Sequence, residues 1–157
     1  MLPNIQKYTL PLASIDLSKI LSSWTWLIGD QCSVIALTKA GDALLKDAEG
    51  HLNFLDIGQG TLTFISNNYL DFEEANLSED IMDEVLLPLL VNQLEANNLV
   101  LKPGQVYSYR LLPILGGEYA ETNRYAGNLY EHFSLSGKMH AQIKDAPDGI
   151  RFRLELE

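Results

Sequence analysis

Few residues in this chain have the types and spacing for acid, base, nucleophilic or metal chemistry. They are three histidines (His51, His132 and His140), a single cysteine (Cys32) and the acids Asp42, Asp47 and Asp56. Two metal ligands on one helix sit three or four residues apart. His132 and His140 are eight apart, with no Glu at a metalloprotease position. Ser134 and Ser136 stand near His132 as a nucleophile beside a base, yet closeness in sequence is no warrant for triad geometry and the strained nucleophile elbow is absent. Asp42, Asp47 and Asp56 could supply paired carboxylates, but each reads more simply as a strand-end or turn residue. Gly58-Gln-Gly60 lacks the rest of a dinucleotide fingerprint and reads as a hairpin turn. Cys32 lies in a strand-like run, as a buried small hydrophobe rather than a nucleophile. The residues thus predict no catalytic set, no cofactor and no metal.

Charge says more than chemistry does. The net charge is −10, from 11 Lys and Arg against 21 Asp and Glu. A nucleic-acid binder neutralises phosphates with basic residues, so direct DNA or RNA binding is not expected. The densest acidic run holds Asp71, Glu73, Glu74, Glu79, Asp80, Asp83 and Glu84. It reads either as a solvated helix face, with acids matched to the helix dipole, or as a contact surface for a basic protein. A lone cysteine forms no internal disulfide, which predicts a reducing cytosol. The N-terminus lacks the pattern of a signal peptide, and no apolar run approaches the ~20 residues of a membrane span.

The elements that must position these residues follow from the patterning. At 157 residues the chain is expected to be one domain, with an N-terminal arm and a short helix capped by Ser14 over 1–23 and an α+β body over 24–157. Residues 24–28, with Trp24, Trp26 and Ile28, read as a strand. Short β-favouring runs at 34–38, 43–46, 52–57 and 62–66, punctuated by Gly, Asn and Asp, predict an antiparallel meander. From Tyr69 the pattern turns helical: a short helix over 69–74, then Ser78 capping a run whose core stripe is Ile81, Val85, Leu86, Leu89, Leu90 and Leu94. Pro88 inside that run kinks the helix or starts another. Strands are expected over 105–111 and 123–130, a helix over 133–144, and an alternating last strand over 150–156. Gly137 inside the last helix costs about 1 kcal/mol relative to Ala. The fold class is α+β, an antiparallel meander packed against two or three helices.

The least generic stretch is 112–149. It carries Leu115-Gly116-Gly117-Glu-Tyr119, Asn123, Glu131-His132-Phe133, Gln142-Ile-Lys-Asp145 and Pro147-Asp-Gly149, preceded by Gly104-Gln105-Val-Tyr107. With Gly41-Asp42, Leu45-Lys-Asp47, Gly50, Phe54-Leu-Asp56 and Gly60, these residues resemble the bacterial immunity proteins of type VI secretion DNase effectors, in their C-terminal domain, over about 24–149. That domain was formerly one of unknown function. Larger members add an N-terminal GAD-like module, which is expected to be absent or much reduced before Trp24. The resemblance implies a cytosolic, non-enzymatic protein that binds and blocks a cognate toxin. It also implies a signature set of Gly41, Asp42, Asp56, Gly116, Gly117, Tyr119, Asn123, His132, Gln142, Pro147 and Gly149, expected to be mainly architectural.

Three readings follow. The first is an immunity-type binding protein with a basic toxin as partner, contacted through the acidic run. The second is a small ligand-binding domain or enzyme using a pocket near Gly116 and His132. The third is a regulatory protein with a partner of another kind.

Overall fold

A computed structural model describes residues 3–146. The expectations on Pro147, Gly149 and the strand at 150–156 lie outside the described residues. In chain order the elements are α1 (Ile5–Tyr8), α2 (Leu17–Leu21), α3 (Thr25–Ile28), β1 (Ser33–Leu37), β2 (Ala43–Lys46), β3 (Leu52–Asp56), β4 (Thr61–Ser66), α4 (Leu70–Glu73), α5 (Glu79–Leu86), α6 (Pro88–Ala96), β5 (Gln105–Tyr109), β6 (Arg124–Asn128) and α7 (Leu129–Ile143). The fold is α+β.

The four runs between 33 and 66 form the expected meander, antiparallel in the order β1-β2-β3-β4. Each strand ends where a turn residue relieves it. Asp47 Oδ1 accepts from the amides of Glu49 and His51, while Oδ2 accepts from Asn53 Nδ2. Asp56 Oδ1 accepts from Gln59 N. Successive strand residues face opposite ways, and here both faces are covered. Leu44 and Leu52 pack with Phe72, Met82, Val85, Val91 and Leu94 from α4–α6. Ala43, Leu45 and Leu55 pack with Ile20, Trp24, Leu129 and Phe133 from the N-terminal helices and α7. β5 and β6 form a second, two-stranded antiparallel sheet rather than extending the meander. β5 joins both cores, with Val106 on one side and Tyr107 on the other.

Four expectations need correction. Residues 24–28 are helical, not a strand: a 3₁₀ turn over Ser22–Trp24 leads directly into α3. Packing on α7 overrides the β-favouring aromatics there. Trp24 Nε1 donates to Phe133 O at 2.8 Å, and Trp26 Nε1 to Gly137 O at 3.2 Å. α2 is preceded by Asp16 at its N-cap position, not Ser14. α7 begins at Leu129, not 133, because Asn128 caps it and accepts from Glu131 N; β6 therefore stops at Asn128. Finally, the stripe through 81–94 is broken. Leu87 adopts a left-handed conformation (φ 48°, ψ 54°), and Pro88 starts α6 as its first residue. Proline suits that position because its missing N–H would be unpaired there anyway. The restart changes the helical phase: Val91 and Leu94 enter the core, while Leu89 is 79% exposed.

Candidate functional site

Two places bring the notable residues together. One is an interior polar lock between the meander and the second half of the chain; the other is a surface groove beside the acidic helix.

The lock is built on turns that leave carbonyls facing inward. Between β1 and β2, Gly41 has φ +100° and its carbonyl accepts from His132 Nε2 at 2.7 Å. Since a carbonyl only accepts, Nε2 carries the hydrogen. Nδ1 must then accept, and Ser108 of β5 donates its hydroxyl to it at 2.7 Å. This holds a neutral imidazole. Burial pushes its pKa down to about 4, against the Gly41 bond and aided by the nearby Arg124 charge. About two turns along α7, His140 Nε2 donates likewise to Ile57 O at 2.7 Å. Its pKa is lowered, again by burial first. Arg124 is 2% exposed. Its Nη1 donates to Ala40 O at 2.6 Å and Tyr107 O at 3.1 Å, its Nη2 to Tyr109 Oη at 2.8 Å, and its guanidinium lies 3.7 Å from the Tyr109 ring centre. Asp42, read from sequence as a turn residue, is fully enclosed. Its Oδ1 accepts from Ile57 N at 2.9 Å, and burial, with the Asp56 charge, pushes its pKa up to about 7.

The Ser–His pair is real, but its serine is Ser108, not Ser134 or Ser136. Ser134 instead lies 3.4 Å from Ser23 Oγ. Sequence reasoning missed Ser108 because it comes from another element, and missed Arg124 because nothing local marks a strand-initial arginine as buried. Ser108 and His132 border a cavity of about 150 Å³, with Arg110, Tyr125, Glu131 and Met139 in its wall. Gly116 and Gly117 do not line it. Among the described residues no three His, Cys, Asp or Glu side chains are placed to hold a metal ion. No helix among them is long and apolar enough to cross a membrane. Cys32 is half-buried just before β1, its thiol pushed up by burial and by Asp47.

Gly116, Gly117, Tyr119 and Asn123 act together elsewhere. Asn123 Oδ1 accepts from Leu111 N, and its Nδ2 donates to Leu111 O and Glu118 O. One side chain therefore closes the loop 111–123. A Cβ on Gly117 would overlap the Leu111 carbonyl oxygen, so the loop closes this tightly only with glycine there. Tyr119 is held edge-on to Tyr109, with ring centres 6.1 Å apart. Tyr119 and Ala120 form one wall of a groove of about 600 Å³ whose other side is Leu87, Pro88, Leu89 and Leu90, with Glu79 and Asp83 at the rim.

The acidic run is divided by the fold. Glu73 and Glu74 are exposed on and just after α4, and Glu73 borders a depression under the N-terminal arm. The Asp71 carboxylate accepts from the Ser66 hydroxyl. Glu79, Asp80, Asp83 and Glu84 are exposed on α5, where Ser78 caps the first turn. Between Lys46 and Lys102 the chain has no Lys or Arg, so the acids on this side have no nearby basic neighbour in sequence.

Residues 66–140 match the family described as "T6SS immunity protein Tdi1, C-terminal". Over that segment the chain is similar to this type VI secretion immunity family. The matched segment holds α4 to α6, most of α7, both halves of the groove and the acidic run, whereas Gly41 to Gly60 lie outside it. The fold is similar to that in the crystal structure of Atu4351 from Agrobacterium tumefaciens, with a TM-score of 0.54 and 17% sequence identity. That likeness covers 78% of this chain and 64% of that one, and at such identity it concerns the fold alone. The present chain thus spans less than two thirds of that solved chain. No curated protein matches.

Proposed function

We propose that this protein is a non-enzymatic, cytoplasmic immunity protein that binds a cognate secreted toxin and neutralises it, the toxin being basic and of the DNase kind. The observation that carries this reading is the position of the acidic helices. Asp71, Glu73, Glu74, Glu79, Asp80, Asp83 and Glu84 all fall inside the segment that matches the immunity family. A nuclease presents a basic groove to its substrate, and an acidic inhibitor reaches such a groove by fast, steered association. The signature residues serve this surface indirectly, by closing the 111–123 loop and tying α7 to the meander.

The test is to express the neighbouring open reading frame with and without this chain, scoring growth and DNA integrity. Protection by the wild-type chain, weakened when Glu73, Glu74, Asp80 and Asp83 are all reversed to Lys, is the expected result. No protection by a folded wild-type chain rejects the reading. Unchanged affinity of the folded quadruple variant at low salt rejects the acidic face as the contact. One observation favours a second reading: the Ser108–His132 pair beside its small cavity suits binding of a small ligand or acyl transfer. Failure of Ser108 to react with a serine-directed fluorophosphonate, and of the cavity to take up small esters, disposes of it.

A further inference from the structure

We infer that the groove between the start of α6 and the Tyr119 loop seats an apolar side chain of the toxin, on a segment whose flanking residues are Lys or Arg. This rests on the immunity reading above and adds to it the place and chemistry of contact. Leu89 is the central observation. A continuous helix from Ile81 would turn Leu89 inward with Val85; the left-handed Leu87 resets the phase and leaves it 79% exposed. A non-glycine residue held at positive φ is strained, and such strain tends to persist where the surroundings over-determine it, often at binding sites.

The opposite wall is made in advance. Tyr119, 40% exposed, is oriented by Tyr109, while Asn123 fixes the loop that carries it. A wall already ordered loses little freedom on binding. The groove therefore offers Pro88, Leu89, Leu90 and Tyr119 as an apolar bed with ordered sides. Its rim is negative: Asp83 is exposed there beside Glu79, and among the described residues no Lys or Arg lines the groove. An aliphatic or aromatic anchor gains by burial, and basic flanks complement the rim. Acidic flanks would be repelled.

The test uses the full chain, ¹⁵N-labelled. Twelve-residue peptides with a central Leu or Phe and two Lys or Arg on each side are titrated against it, alongside the same peptides with Glu flanks. The basic peptides are expected to shift the amides of Leu87, Leu89, Leu90 and Tyr119, and the Glu-flanked ones are not. Leu89→Asp is expected to weaken binding about 30-fold or more. Asp83→Lys should weaken it about 5-fold at low salt, with the difference vanishing at high salt. Leu89 is exposed, so Leu89→Asp should keep the wild-type Tm and spectrum. Shifts elsewhere, no shifts, or indifference to Leu89→Asp overturn the inference. In parallel the protein encoded by the neighbouring frame is titrated. If it binds wild type, Leu89→Asp and Asp83→Lys equally, the groove is wrong and the immunity reading stands. If it does not bind wild type, that reading falls, and the peptide arm alone decides the groove.

Discussion

His132 donates its Nε2 hydrogen to the carbonyl oxygen of Gly41, 2.7 Å away and ninety-one residues earlier in the chain. The contact requires glycine: a Cβ at Gly41 would sit 2.7 Å from that nitrogen, at a φ of +100°. Gly41→Ala is therefore expected to lower stability by about 2–4 kcal/mol, combining backbone strain with overpacking of the imidazole. Gly104→Ala is the control. It shares a positive φ of +82°, but nothing lies within 4 Å of an added Cβ, so about 1 kcal/mol is expected. Urea unfolding of both variants measures the difference, and equal losses would show the imidazole contact to be unimportant.

Asp42 and His132 should give opposed pH dependences. The His132 pKa is depressed to about 4 in the fold, so its contribution is present above about 6.5 and lost as pH falls toward 4. The Asp42 pKa is raised to about 7, so its contribution is present below 3.8 and lost as pH rises through 7. Each slope is about 1.4 kcal/mol per pH unit, and between about pH 4 and 6.5 they oppose one another. The Arg124 charge lowers both pKa values, and the Asp56 charge raises that of Asp42. Asp42→Asn should leave the histidine slope exposed, losing stability relative to wild type from pH 6.5 to 4. His132→Gln should show the reverse trend, whatever its overall loss. Chemical denaturation at four pH values distinguishes these outcomes, and parallel curves for all three proteins would contradict the assignment.

Gly137→Ala should destabilise, against helix propensity. In an exposed helix interior that change gains about 1 kcal/mol. Here a Cβ would lie 2.5 Å from Ser23 O, where the 3₁₀ turn packs against α7. A net loss of about 1–3 kcal/mol is expected, read as a lower Tm. A higher Tm would mean that this close approach of backbone to helix is loose.

Asn123→Ala should act locally. Its amide makes three bonds to the 111–123 loop, which is largely exposed. Hydrogen exchange should quicken over 111–119 while α7 and β3 stay protected, with a global loss of only about 1–2 kcal/mol. Uniform loss of protection would place Asn123 in the global core instead.

Much of the fold could be read from the sequence because its strands are short and each is stopped by Gly, Asn or Asp. That pattern depends on neighbours a few residues away. The errors share the opposite cause. Trp24 and Trp26 look like strand residues until Phe133 and Gly137 supply acceptors for their indoles. Leu89 belongs to a core stripe until Leu87 resets the helix. Asp42 looks like any turn acid until the second half of the chain covers it. Arg124 and Ser108 carried no local mark, because their roles exist only once β5, β6 and α7 meet the 38–57 segment. Sequence set the acidic run on a short helix over 69–74 and on a second one capped by Ser78, and α4 and α5 lie there.

The interior lock also sets limits on modular exchange. The segment that matches the immunity family's model begins at residue 66, yet the acceptors for His132, His140 and Arg124 are carbonyls at Gly41, Ile57 and Ala40. A genetic crossover near that boundary would graft two imidazoles and a guanidinium onto foreign hairpins whose carbonyls need not meet them. Chimeras joined there should misfold unless the hairpins travel too, so the unit of inheritance for this architecture is longer than the unit of sequence likeness.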